Sequence, residues 1–464
     1  MELSKGKIKG LIDKIIEERS GGNPLLEHLT RAKMCMKGIF PDKYTEETYD
    51  DQVIIDKLID LAKELKIKVY ASEVMTLKSL YNKKENTVMS TKTSSGNDIK
   101  TIFTTKSDVS EAVQDLKKQL QGFEFTMMIF FASSCFNPDE LAKKMEESFS
   151  PACVFGGTTA GEIINGKSLR NSIVAMAFNS TIVDDVNVQI VENIRENGDV
   201  SKAFQAFEDH FEEPASDMDF QKYLGLVLID GLSQSEEKIL DRIGDKTNVL
   251  FVGGSVADDL KGHKTYVFSK GRAYSNAALL ALFKPQVGFA VLKTQSFDVL
   301  NKTLTATKVN EERREVIEFN GKPAVLAYAE ALGVPPSEVT KYFNTNPFGL
   351  VSDGEVFVRN PAFLLGDSIT LYCKISEGTV LHLLHGRDIV SDTKKAFEEK
   401  RKQMKNISAI IDFHCCFRFL NLEQKNAQDE YGKIFGDIPN IGFATIGEAY
   451  VGHLNQTSVI VLFE

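Results

Sequence analysis

A block of small residues occurs twice in this chain, and it constrains the fold more than any other feature. The copies are Gly156–Glu162 and Gly253–Asp259, each with two glycines, a hydroxyl residue, a small residue and an acid. The apolar runs Phe130–Ser133 and Val227–Asp230 precede them at the same offset of 97 positions (130 to 227, and 156 to 253). A repeat of this length predicts duplicated supersecondary units that share one core.

A looser third copy closes the chain. Its predicted strand is Ala409–Asp412, its helix is Glu423–Phe435, its glycine-acid turn is Gly442–Glu448, and its last strand is Thr457–Phe463. The order of these parts matches the first two copies, so the sequence predicts the same kind of unit at both ends of the body.

The segments around the first copy predict the fold class. Thr126–Ala132, Pro151–Phe155 and Ser172–Phe178 are short apolar runs typical of buried strands, and Pro138–Phe149 is predicted as a helix. The glycine pair is predicted to end the second strand in a turn. Because the runs are short and often lead to hairpins, purely parallel winding is not expected. The prediction is an α/β body with mixed sheets, built from repeated strand-helix-strand-hairpin units.

The first hundred residues instead have the pattern of a separate helical domain. Leu25–Lys37 follows a capping asparagine and a proline, and Val53–Leu65 has apolar residues at helical spacing after two aspartates. A shorter helix is predicted after Ser72. These segments predict a helical domain in front of the α/β body.

The boundary between the two parts is predicted from local signals. Asn86–Asp98 is polar and poor in apolar residues, as in a linker, and Asp108 with Glu111 forms a capping box that opens a helix over Val109–Leu120. The predicted organisation is a helical domain (1–85), a linker (86–106) and two α/β domains (107–310 and 311–464).

Composition excludes several classes of partner and location. The chain of 464 residues has a formal net charge of −10, so anionic surfaces such as nucleic acid or acidic membrane are not expected as partners. No run approaches a membrane span, and the start lacks a signal-peptide pattern. The cysteines, without a C-x-x-C pair, are Cys35, Cys135, Cys153, Cys373, Cys415 and Cys416. Free thiols in a reducing cytoplasm are therefore expected.

The glycine blocks are candidate ligand sites. Backbone N–H groups beside a glycine pair, with neighbouring hydroxyls, can face one ligand group, and the terminal acid can bind an amine. The residues that fit are Thr158, Thr159, Glu162, Ser255 and Asp258. The alternative is structural, because hydroxyls and acids also cap tight turns.

A second candidate lies near the end of the chain. His414, Cys415 and Cys416 form a thiol-imidazole cluster, but adjacent cysteines lack the spacing of zinc ligands, so no metal and no cofactor is predicted. Arg418 can hold a carboxylate through two hydrogen bonds. The sequence has no nucleophile elbow, Walker loop, dinucleotide fingerprint or metalloprotease motif, which disfavours an enzyme.

Several ordered motifs resemble the FIST family over roughly residues 107–464. The fragments are "FGGTTAGEI", "IDGLSQSEEKIL", "FVGGSVADDLKGHKTYVF", "NPFGLV", "GDSITLYCKISEG" and "GFATIGEAYVGHLNQTSVIVLF". By this resemblance, residues 107–310 are FIST N-like and residues 311–464 are FIST C-like. The family's usual Cys-x-Gly-Arg stands here as Cys415-Cys416-Phe417-Arg418, with a phenylalanine where a small residue is usual.

The resemblance implies a sensory role in signal transduction. Members occur in prokaryotic signalling proteins and in eukaryotic F-box proteins, and small ligands, including amino acids, are proposed for them. No F-box or output domain is recognised here, so a signal is expected to leave through a partner such as a histidine kinase. The motif positions add Arg359, Glu448 and Asn455 to the candidate ligand-binding residues.

Three functions follow as expectations. The first is a cytoplasmic sensor of a small zwitterion or carboxylate, with an ammonium group at Glu162, Asp258 or Glu448 and a carboxylate at Arg359 or Arg418. The second is an enzyme with a site around Cys415, His414 and Glu448. The third is a scaffold that binds only protein.

Overall fold

The N-terminal region is helical. The computed structural model describes residues 5–65, 67, 98–352 and 354–464. The first helices are α1 (Lys7–Ser20), α2 (Pro24–Met36) and α3 (Gln52–Glu64). Asp51 caps α3 by accepting a hydrogen bond from the Val53 N–H. The helix predicted after Ser72 and residues 86–97 of the predicted linker lie outside the described residues.

Two units with the same order of elements follow. The first contains β1 (Ile99–Thr104), α4 (Val109–Gln119), β2 (Met127–Ser133), α5 (Pro138–Phe149), β3 (Cys153–Thr159), β4 (Glu162–Ile164), β5 (Lys167–Leu169) and β6 (Ile173–Phe178). The second contains β7 (Val183–Glu192), α6 (Ser201–Phe211), β8 (Leu224–Asp230), α7 (Glu236–Gly244), β9 (Phe251–Val256), β10 (Val267–Ser269), β11 (Arg272–Tyr274) and β12 (Ala277–Pro285). Asp108 caps α4 as predicted, since its side chain accepts a hydrogen bond from the Glu111 N–H.

A third unit is interrupted by a separate sheet. After β13 (Phe289–Gln295) the chain forms β14 (Phe297–Asn310), β15 (Glu315–Phe319), β16 (Lys322–Pro323), α8 (Ala324–Leu332), β17 (Phe348–Ser352), β18 (Glu355–Arg359), β19 (Pro361–Leu365), β20 (Ser368–Leu371) and β21 (Val380–Gly386). It then completes the unit with α9 (Ile389–Arg401), β22 (Ala409–Cys415), α10 (Cys416–Gln424), α11 (Gln428–Gly432), β23 (Asn440–Thr445), β24 (Glu448–Ala449), β25 (His453–Leu454) and β26 (Thr457–Phe463). The single helix predicted over Glu423–Phe435 is wrong, because two short helices and a 3₁₀ turn occupy this region.

The three units exchange hairpins. Their sheets have the orders β1-β6-β2-β3-β10-β11, β7-β12-β8-β9-β24-β25 and β13-β26-β22-β23-β4-β5. In each sheet the two central strands are parallel, the returning strand is antiparallel, and a hairpin from another unit completes the edge. The hairpin of the first unit (β4 and β5) thus completes the third sheet, and the hairpin of the second unit (β10 and β11) completes the first sheet. The hairpin of the third unit (β24 and β25) completes the second sheet.

The glycine pairs lie inside strands. Gly156 faces Phe130 across the parallel pair β2–β3, and Gly253 faces Val227 across β8–β9. The prediction that these glycines form a turn is therefore wrong. The strands continue to Thr159 and Val256 before the chain turns, and the glycines allow the close approach of two backbones.

One central core joins the three sheets. Phe131 of the first sheet lies 4.5 Å from Phe443 of the third, between ring centroids, and Leu226 and Leu228 of the second sheet belong to the same buried cluster. Helices cover the outer faces: α4 and α5 on the first sheet, α6 and α7 on the second, and α9 to α11 on the third. The predicted α/β body with mixed sheets and an N-terminal helical region is confirmed.

The helical region contacts this body. Lys33 pairs with Asp245 at 2.8 Å, and the Cys35 thiol lies 3.2 Å from the Ser352 hydroxyl. No helix in the described part of the chain has the length and apolar character needed to cross a membrane.

Candidate functional site

A cavity of 140 Å³ lies where the interrupting sheet meets the third unit. Its walls come from the start of β14, the end of β21, the first residue of α9 and one face of α10. The lining residues are Ser296, Phe297, Asn344, Thr345, His385, Gly386, Arg387, Ile389, Arg418, Asn421, Lys425 and Gln456. Ligand sites commonly form at such junctions between structural units.

Arg418 is the distinctive residue of this cavity, which we call the Arg418 pocket. Its side chain is 1% exposed, yet no carboxylate of the described residues pairs with it. The guanidinium donates to the hydroxyls of Ser296 (3.3 Å) and Thr393 (2.8 Å), and Nε has no partner. A buried charge without a counterion costs several kcal/mol, so this arginine lacks a partner that an anion would supply.

The position of Arg418 in its helix does not stabilise it either. It lies in the first turn of α10, where the unpaired N–H groups give the helix a partial positive charge. A cation is unfavourable there, whereas an anion would be favoured by both the helix and the guanidinium.

The charged residues that line the pocket besides Arg418 are also cations. Arg387 and Lys425 are cationic and none of the lining residues is acidic. Arg387 pairs with Asp298 and Asp392, which lie outside the lining. Asn421 follows Arg418 by three positions on α10, which places the two on one face of the helix. Its Oδ1 is a buried acceptor without a hydrogen bond. The pocket therefore offers a charged donor and a neutral acceptor to one small molecule.

The structure gathers four further predicted residues around segment 453–457, of which Gln456 lines the pocket. The contacts are those of Arg359 with the His453 carbonyl, of Asn455 with the Asn360 N–H and the Cys373 thiol, of Cys415 with the Gln456 N–H, and of Glu448 with the Thr457 N–H and hydroxyl. Of the ten predicted ligand-binding residues, only Arg418 itself lines the pocket.

The remaining predicted residues lie at two other turns and bond to protein. Thr158 accepts from the Tyr266 N–H, Thr159 donates to Glu162, Ser255 donates to Glu236, and Asp258 accepts from the N–H groups of Lys261, Gly262 and His263. Glu162 is fully buried and accepts from the Ser172 N–H and hydroxyl. These contacts fit the structural alternative for the glycine blocks.

Comparison with known proteins identifies the chain. Residues 126–322 match the FIST N domain and residues 324–450 match the FIST C domain. The chain belongs to the FIST family. It is also similar to an uncharacterized protein of Methanocaldococcus jannaschii, with 24% identity over 314 residues, covering 62% of this chain and 60% of that relative. FIST domains are sensory modules of signal transduction. Arg418 and most of its pocket lie within the FIST C match, whereas Ser296 and Phe297 lie within the FIST N match and Gln456 follows both.

The thiol-imidazole cluster of this FIST protein does not form one exposed site. His414 contacts Asp412 and Tyr431, while Cys415, the next residue of β22, points to the opposite face. Burial raises the pKa of the Cys415 thiol well above its ordinary value, so it is a neutral thiol near pH 7. Burial, followed by the nearby Cys415, also raises the pKa of Glu448.

Glu162 is expected to make stability depend on pH. Burial raises its pKa from 4.5 to about 7, against the hydrogen bonds from Thr159 and Ser172. Because the folded pKa exceeds the unfolded one, the contribution to stability is complete below the unfolded pKa and is lost as the pH rises through about 7. We expect wild type to lose about 2–3 kcal/mol relative to Glu162→Gln between about pH 5 and pH 8.

Urea unfolding at the two pH values measures this difference. Glu147→Gln, a substitution at an exposed glutamate of α5, is the control and should follow wild type. Equal pH dependence of wild type and Glu162→Gln would contradict the assignment.

Sequence reasoning missed most of the pocket. Ser296, Asn344 and Asn421 lie in no repeated motif; Asn421 shares α10 with Arg418, and the fold brings Ser296 and Asn344 to it from two other parts of the chain. The one signal in the sequence was Arg418, which follows the pair Cys415-Cys416 by two positions and was among the predicted residues.

Proposed function

We propose that this FIST protein is a cytoplasmic sensor that binds a small carboxylate in the Arg418 pocket and passes the signal to a protein partner such as a histidine kinase. The observation that carries the proposal is the buried Arg418 guanidinium, which faces a cavity and has no carboxylate partner among the described residues. A ligand carboxylate can supply the missing charge and accept from Nε.

The size of the cavity restricts the ligand. A cavity of about 150 Å³ accommodates a molecule of benzene size, and the Arg418 pocket has 140 Å³. The ligand therefore has about six non-hydrogen atoms, as in a two- to four-carbon acid. A nucleotide is too large, and the pocket lacks a glycine-rich phosphate loop.

Asn421 favours a donor next to the carboxylate. Its free Oδ1 can accept from an α-amino or an α-hydroxyl group, so the ligand class is a small amino or hydroxy acid. Glu162, Asp258 and Glu448 do not line the pocket, so the proposal assigns an ammonium group to Asn421 and not to these acids.

The protein is also proposed to contain an internal repeat, to reside in the cytoplasm and to signal through a protein partner. Three units with the same element order and the same exchanged hairpin support an internal repeat. Six free cysteines support a reducing compartment. The net charge of −10 supports a protein partner over nucleic acid or membrane.

Arg418→Met is expected to weaken binding of the best small acid by at least about 10-fold, because a buried charge-assisted bond contributes about 1.5–3 kcal/mol. Calorimetry with acetate, lactate, glycine and alanine identifies that ligand. The methyl ester of the best acid should not bind, since it lacks the carboxylate.

Arg359→Met is the matched control. Arg359 is also buried, and its Nε also lacks a partner, but it does not line the pocket. We expect an affinity within about threefold of wild type. The proposal fails if no small acid binds, if the ester binds as well as the acid, or if Arg418→Met leaves the affinity unchanged.

A further inference from the structure

Three side chains that can bind a metal ion lie close together in the fold, although they are far apart in the sequence. Glu237 lies in α7 of the second unit, Cys373 follows β20 of the interrupting sheet, and His453 lies in the hairpin strand β25 of the third unit. One ligand atom of each lies within 4.8 Å of the others. Such a separation allows one cation to contact all three after a small adjustment of side chains.

Neighbouring groups hold two of these ligands in place. Arg314 binds Glu237 Oε2 at 2.5 Å, which leaves Oε1 facing His453 Nδ1 at 3.3 Å. The His453 ring packs against Gly447, where an added Cβ would lie 2.0 Å from Nε2. Secondary contacts of this kind orient metal ligands in known sites.

We propose that Glu237, Cys373 and His453 form a zinc site that links the second unit, the third unit and the interrupting sheet. A thiolate, an imidazole and a carboxylate are the donor set that zinc prefers, and hard cations such as magnesium are disfavoured by sulfur. Binding places the ion between the three ligand atoms and releases to solvent the thiol proton of Cys373 and the proton on the ligating ring nitrogen of His453. Three protein ligands leave a fourth position for water.

The charge of the surroundings fits a divalent ion. Glu236 is buried beside Glu237, and both bind the single guanidinium of Arg314. With Cys373 as thiolate, this group has an excess of two negative charges, which a divalent cation neutralises. The Glu237 side chain is 18% exposed, whereas Cys373 and His453 are buried, so an ion enters past Glu237.

Cobalt substitution tests the site directly. The full chain is stripped with a chelator and titrated with Co²⁺, and we expect one equivalent to produce a thiolate-to-cobalt charge-transfer band. The band should be absent in Cys373→Ser and unchanged in Cys135→Ser, whose cysteine is exposed. Zinc, measured by competition with a chromophoric chelator, should bind at least about 10-fold more weakly to Glu237→Gln.

The outcomes separate the proposal from its alternative, a buried hydrogen-bonded cluster without metal. Absence of the cobalt band in wild type, or its survival in Cys373→Ser, overturns the proposal. Circular dichroism checks the fold of each variant. If Cys373→Ser does not fold, Glu237→Gln decides, and an unchanged zinc affinity in that variant overturns the proposal.

Discussion

Gly253→Ala is expected to destabilise the protein by about 4 kcal/mol or more, the range of severe core substitutions. A Cβ at this position would lie 1.9 Å from the Val227 carbonyl oxygen. The obstacle is backbone, so it cannot rotate away as a side chain can. The parallel strands β8 and β9 would have to separate by more than about 1 Å, which breaks their hydrogen bonds.

The same contact recurs in the other units. An added Cβ would lie 1.8 Å from the Phe130 oxygen at Gly156 and 2.2 Å from the Asp412 oxygen at Gly442. We therefore expect similar losses for alanine at these two glycines. A common loss at three positions would show that the units share one close backbone approach.

Chemical unfolding followed by circular dichroism measures these losses, with Gly10→Ala as the control. Gly10 lies within α1 and an added Cβ meets nothing within 4 Å, so alanine there should be neutral or stabilise by up to about 1 kcal/mol. A loss below about 1 kcal/mol for Gly253→Ala would refute the close-approach explanation.

The glycine pairs also show what the sequence could establish. Their spacing and the apolar runs before them predicted related strand-helix-strand segments, because local periodicity reports buried strands. The exchange of hairpins was not predictable, since the hairpin after Gly156 completes the third sheet, where Ile163 pairs with Gly442 of β23. Pairing over such distances depends on tertiary packing, and no local pattern records it.

The residues of the candidate site were also predictable from the sequence only in part. Arg418 was predicted because it follows a cysteine pair closely and its guanidinium can bind a carboxylate through two hydrogen bonds. The lining residue Asn421 and the cluster partner Cys373 have no local signal, because polar residues of ordinary types surround them. Residues of the glycine blocks, such as Thr158, were selected by pattern, and the structure shows that they bond within the protein.

Arg314→Met is expected to destabilise the protein by about 3–5 kcal/mol, the cost of breaking a buried ion pair from one side. The guanidinium is 9% exposed and binds Glu236 at 2.7 Å and Glu237 at 2.5 Å. It also donates to the Tyr372 carbonyl at 2.7 Å. Methionine preserves most of the side-chain volume but leaves the buried Glu236 carboxylate without a counterion and removes the guanidinium partner of Glu237, which keeps its contact with His453.

The adjacent Arg313→Met is the matched control. Its side chain is 59% exposed and lies 3.6 Å from Glu315, so its loss should cost less than about 1 kcal/mol. Urea unfolding of both variants measures the difference. Adding Glu237→Gln to Arg314→Met should recover part of the stability, because it removes one of the two carboxylates that lose the guanidinium. Equal stability of the Arg313 and Arg314 variants would contradict the role of this ion pair in joining α7 to the interrupting sheet.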